Sequence, residues 1–114
     1  MRLLDVAPDG TAFNLMSPGL DLLRASYRNN TARRELLTPG RIYKLRLDHL
    51  LTSNVFKKGH RIRAQISSTF SPHFSRNLHT GELETVSAKM RPARIRIYHD
   101  RRHASRLILP AVPR

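Results

Sequence analysis

The sequence predicts an all-β sandwich, on three observations. No stretch of its 114 residues carries an apolar repeat of helical period. Turn residues interrupt the chain at short spacing: Pro8-Asp9-Gly10, Ser17-Pro18-Gly19, Thr38-Pro39-Gly40 and Lys57-Lys58-Gly59. Between the turns, apolar and polar side chains alternate with the period of two that sends one face of a strand inward and the other to solvent. About six strands can be counted, where a closed jelly roll uses about eight.

Taken in order, residues 2 to 6 read as a strand ended by the Pro8-Asp9-Gly10 turn, in which proline presets φ and glycine takes a conformation other residues resist. Thr11 to Leu15 follows as a short strand. Leu23, Ala25 and Tyr27 then share one face, with Arg24, Ser26 and Arg28 opposite. Leu20 and Leu22 fall in the other register, which implies a kink or bulge near Leu22-Leu23; a short helix over Gly19 to Ala25 is the rival reading. Asn29 to Leu37 is a polar connector. Tyr43, Leu45, Leu47 and His49 alternate with Lys44, Arg46 and Asp48, and Leu50 to Phe56 continues toward a basic turn at Gly59. The most informative stretch comes next. Ile62, Ala64, Ile66 and Ser68 alternate with Arg61, Arg63, Gln65 and Ser67 as a central strand. Pro72 then stops the ladder and an aromatic-polar loop, Phe70 to Asn77, closes on Thr80-Gly81. Ala93, Ile95, Ile97 and His99 predict a further strand, and Ser105 to Leu109 a last one before Pro110.

Composition bounds the rest. The length allows one domain at most. Twenty-one basic residues face eight acidic ones, a formal charge of +13, and there is no cysteine. Disulfides and thiolate zinc sites are therefore excluded. No apolar run approaches the roughly 18 residues of a membrane helix. Asp5 and Pro8 break any signal-peptide core, so the cytoplasm is the default compartment.

Several motifs, in order, resemble one family. Leu4-Asp5-Val6 with Pro8-Asp9-Gly10, Leu23-Arg24-Ala25-Ser26-Tyr27-Arg28, and Leu37-x-Pro39-Gly40-x-x-Tyr43 lie in the first half. Thr52-Ser53-x-x-Phe56-x-x-Gly59-His60-Arg61-Ile62-Arg63, Ile66-Ser67-Ser68, Pro72-His73-Phe74-Ser75-Arg76-Asn77 and Thr80-Gly81 continue the series. Ile97-Tyr98-His99-Asp100, Ser105-x-Leu107-x-Leu109-Pro110 and Pro113 end it. Together they resemble the C-terminal jelly roll of the X-Pro dipeptidyl-peptidase and cocaine-esterase family of serine hydrolases. His79 departs from the asparagine common there, and Ala104 from the proline before the serine. The resemblance implies a jelly-roll, galactose-binding-like β-sandwich, of which residues 1–114 form the C-terminal part, incomplete at its N-terminal side. It also implies an upstream α/β-hydrolase domain in the same protein that holds the nucleophile, acid and base. The expected function is then an accessory domain that shapes the substrate pocket and the packing or dimer contacts of the hydrolase. A homo-oligomer is compatible with this.

The residues themselves offer few rival sites. Histidines His60, His73, His79, His99 and His103 lack the spacing to a carboxylate or cysteine that typifies zinc ligands, so no metal or cofactor is expected. Ser67, His60 and Asp48 make a triad only as an inventory, because there is no Gly-x-Ser-x-Gly elbow to expose the serine. His60 is expected to begin a strand and satisfy loop carbonyls. Outward basic pairs (Arg24 and Arg28, Lys44 and Arg46, Arg61 and Arg63, Arg94 and Arg96) suggest a continuous basic sheet face able to bind polyanions without sequence preference. The alternative function is accordingly a free-standing polyanion- or carbohydrate-binding module. In the Phe70 to Asn77 loop, Phe70 and Phe74 are expected to plug an open end of the sandwich. Arg76 and Asn77 either bond loop backbone or dock on the hydrolase domain.

If the inward faces rely on strands outside these residues, the isolated monomer lacks cover for Leu45, Leu47, Ile62, Ile66, Ile95 and Ile97. Expressed alone, it should give aggregate, an oligomer or a broad thermal transition in scanning calorimetry. A sharp, reversible, concentration-independent transition of the monomer would contradict that.

Overall fold

The computed structural model describes residues 1–15 and 21–112. Two compact units are present, Met1–Ser67 and Ser68–Arg114. Among the described residues, apart from one turn of 3-10 helix, every regular element is a strand, so the architecture is all-β, in keeping with part of a β-sandwich. No helix among the described residues is long and apolar enough to cross a membrane.

The first unit is built on a three-stranded antiparallel sheet in the order β2-β1-β3. Strand β1 is Arg2–Val6, β2 is Ala12–Asn14 and β3 is Arg61–Gln65. The β1–β2 hairpin follows from its loop chemistry. Gly10 N–H donates to Ala7 O at 2.9 Å and Ala7 N–H to Thr11 O at 2.8 Å, so Pro8, Asp9 and Gly10 form the loop. Gly10, at φ +92°, takes the left-handed position that ends such three-residue loops. Asp9 accepts the Thr11 N–H at 2.9 Å, and that bond holds its carboxyl below the usual carboxylate range.

Strand β1 is the centre of this sheet. Leu3 and Asp5 lie on one face, Leu4 and Val6 on the other, and all four are buried. The 61–65 stretch, expected to be central, is instead an edge of the described sheet, paired through Leu3↔Ala64 and Asp5↔Ile62. Its strand stops at Gln65, short of Ser68, and Ile62 and Ile66 are each 49% exposed. Alternation alone could not show which strand has a partner on both sides.

Other expected strands are absent from the ladders. Ala25–Tyr27 is a 3-10 turn, not part of a strand. The carbonyls that a strand would present are taken locally: Ser26 O accepts the Glu35 N–H at 2.7 Å, while Ala25 O and Glu35 O accept from Arg28 Nη1 at 3.0 and 2.8 Å. An Arg28–Glu35 ion pair at 3.5 Å folds the polar connector onto this turn. Tyr43 lies beneath the guanidinium of Arg28, 4.7 Å from its ring centroid. Residues 43–49 alternate in sequence but pair with no described strand, and only Tyr43 and Leu47 of the inward set are half-buried. Leu45 and His49 are exposed. The Ser17-Pro18-Gly19 turn and Pro113 lie outside the described residues, as do Gly19 and Leu20 of the rival helix; its residues 21–24 are described and are not helical.

In the second unit, none of the described residues 68–112 is in a helix or strand. The expected strands at 93–99 and 105–109 are thus not laddered. Turns organise the segment instead. Val86 and Ser87 N–H both reach Leu83 O, at 3.2 and 3.1 Å. Asp100 Oδ1 accepts from the N–H groups of Arg102 and His103, each at 2.8 Å, and the bond from His103 is the main reason its carboxyl lies below the usual range.

Before β3, Lys57 O accepts the His60 N–H at 3.0 Å, closing a turn with Gly59 at φ +85°. A positive φ at that position is where a turn requires glycine. A Cβ there would also stand 3.4 Å from the Pro8 ring. Gly59→Ala should lower the unfolding free energy by about 1–2 kcal/mol, the cost of a left-handed L-residue. Urea denaturation measures it, and an unchanged midpoint would contradict the assignment.

Candidate functional site

The buried polar cluster of the first unit starts from Asp5. An aspartate within Leu3-Leu4-Asp5-Val6 is carried inward by its neighbours and must find partners there. It has two. His60 Nδ1 lies 2.8 Å from Asp5 Oδ1, and Asn54 Nδ2 donates to Oδ2 at 3.3 Å. A carboxylate only accepts, so Nδ1 carries the proton in this bond. The Asp5 and His60 side chains are 11% and 17% exposed, so the pair is largely withdrawn from water. The Gly59 turn delivers His60 to this place, immediately before β3.

This arrangement changes one expectation. His60 satisfies a carboxylate, not loop carbonyls. His60 pairs with Asp5, while Asp48 lies 3.2 Å from Arg46 Nε and 3.4 Å from His49 Nδ1. Asp5 and Asn54 were not singled out by sequence reasoning. The available signal for Asp5 was an acid flanked by apolar residues on both sides; Asn54 carried none. Among the described residues, no three His, Asp or Glu side chains converge as metal ligands.

The second cluster lies on the 69–79 loop and residues 90–93. Phe70 O accepts the Phe74 N–H at 3.0 Å, and the Phe70 ring stacks on His73 with centroids 5.0 Å apart. Phe74 is 39% exposed and Phe70 half-buried, so neither acts as a fully buried plug. Leu78 is the buried anchor of this loop. Asn77 Oδ1 accepts the His79 N–H at 3.0 Å, bonding loop backbone, whereas Arg76 lines an open cleft of about 400 Å³. Arg91, not foreseen from the sequence, forms part of the same cleft.

The basic pairs do not make one sheet face. Only Arg61 and Arg63 belong to a strand of the sheet. The Arg28 side chain is turned onto local carbonyls and is 13% exposed. Arg94 and Arg96 lie in the second unit, outside any ladder.

Comparison with known proteins matches residues 1–108 to the family described as "X-Pro dipeptidyl-peptidase C-terminal non-catalytic domain". The chain is 37% identical over 115 residues to a protein named cocaine esterase from Rhodococcus sp., a match that covers 99% of this chain and 20% of that one. It is 40% identical over 76 residues to a provisionally named serine esterase of Mycobacterium bovis, covering 67% of this chain and 10% of the relative. A provisionally named serine esterase of Mycobacterium tuberculosis matches to the same extent. The chain thus spans a fifth or less of the curated relatives it matches. No solved structure matches it. With its motifs in order and the match running over 108 of its 114 residues, this chain belongs to the family of X-Pro dipeptidyl-peptidase C-terminal non-catalytic domains.

Proposed function

We propose that this chain is the accessory β-sandwich of an α/β-hydrolase-type serine hydrolase, of the X-Pro dipeptidyl-peptidase or acyl-esterase class. Residues 1–114 form the C-terminal part of one such domain. It packs against the hydrolase domain of the same protein and helps to wall the pocket for an ester or amide substrate, with no nucleophile of its own. The observation that carries this reading is the family match over residues 1–108.

The surface chemistry supports it. Apolar side chains that this chain leaves open, among them Ile62 and Ile66 in the first unit and Ile95 and Ile97 in the second, suit coverage by a neighbouring layer. The Phe70 to Asn77 loop offers an aromatic edge at Phe74 and a cation at Arg76 for a domain contact. His60, held by Asp5, keeps the start of β3 fixed.

Domain replacement tests the proposal. The Rhodococcus esterase is shortened by the fifth of its length that matches, and this chain is fused in its place. The chimaera should hydrolyse p-nitrophenyl esters well above the shortened enzyme, while this chain alone should show background rates on esters and X-Pro amides. A chimaera no better than the shortened enzyme would contradict the accessory role. So would activity of the isolated chain that disappears in Ser67→Ala.

A further inference from the structure

The cleft of the second unit has the groups of an anion site. Arg91 is fixed by two bonds to the loop before it: its N–H donates to Leu78 O at 3.2 Å and its Nε to His79 O at 2.6 Å. Guanidinium has five N–H donors, so the terminal Nη groups remain to bind something else. The His79 carbonyl that anchors it belongs to a residue at φ +56°, a left-handed conformation that residues with a Cβ adopt at a cost. Asn77 uses its Oδ1 on the His79 N–H and keeps its amide NH₂. Arg76 brings a second guanidinium to the same cleft of about 400 Å³.

Among the described residues nothing acidic lines this space, and neither Arg76 nor Arg91 forms an ion pair. Two cations share a cleft without a counter-charge from the described residues. Met90 and Pro92 add apolar surface to the same lining. We propose that this cleft binds an aliphatic carboxylate. The planar Arg91 fork takes the two oxygens, Arg76 and the Asn77 amide complete the head site, and Met90 and Pro92 cover the hydrocarbon. A bare phosphate would use the cations but leave the apolar surface without a partner. This assignment stands independently of the accessory role.

Titration calorimetry of the soluble chimaera carrying this chain, at constant ionic strength, tests it with hexanoate, acetate and inorganic phosphate. Hexanoate should saturate a single site and bind about tenfold more tightly than acetate, through its added methylenes. Arg76 is exposed and makes no hydrogen bond among the described residues, so Arg76→Gln should fold normally. It should weaken hexanoate about tenfold, as expected for losing a charge-assisted contact. Arg106→Gln removes the same charge outside the cleft and should leave binding unchanged. Absence of saturable binding, equal weakening by both variants, or tighter binding of phosphate than of hexanoate would each overturn the proposal.

Discussion

The carboxylate of Asp5 is the constraint around which the described sheet is arranged. It sits on the strand buried on both faces, and it cannot remain there without partners for its oxygens. His60 and Asn54 supply them from a distance of 55 and 49 residues along the chain. The Gly59 turn, the antiparallel register of β3 on β1 and the course of residues 50–58 all have to be compatible with those two bonds. The pair therefore joins the middle of the first strand to the start of the third, at the point where the ladder runs from Asp5↔Ile62 to Val6↔Arg61. Glycine is required where it stands because the chain must reverse there while presenting the next residue inward.

Local chemistry was legible in the sequence, and long-range pairing was not. The Pro8-Asp9-Gly10 hairpin loop was readable because its determinants are adjacent: proline for φ, Asp9 for the Thr11 N–H, glycine for the positive φ. The all-β class was readable from the same punctuation. Alternation at 43–49 and 93–99 implied strands, yet a strand exists only when a second segment completes its hydrogen bonds. Those segments keep the pattern without a ladder among the described residues. At 25–27 a competing local solution, Arg28 and Glu35 acting on nearby carbonyls, displaced the extended form. Of the candidate residues, His60 stood out by its place after a glycine turn, but its partner could not be read. Arg91 gave no signal, since its importance arises from contacts with a loop 12 residues earlier.

Membership of a non-catalytic domain family fits a molecule whose polar side chains serve architecture. Asp5 and His60 hold strands together, and Asn77 and Arg91 hold a loop in shape. Exposed apolar side chains remain on both units, and the proposed packing against a hydrolase domain would cover some of them. The high positive charge then acts on long-range attraction and solubility, not on the fold.

A double-mutant cycle on Asp5 and His60 tests the central claim most directly. Asp5→Ala, His60→Ala and the double variant are compared by urea denaturation in the same protein. If the pair is the hub, each single change leaves a buried polar group without its partner, at about 1–3 kcal/mol. The double variant should then cost clearly less than the sum, with a coupling energy of about 0.5–3 kcal/mol. Strict additivity of the two single changes would show that Asp5 and His60 do not support one another and would contradict the account.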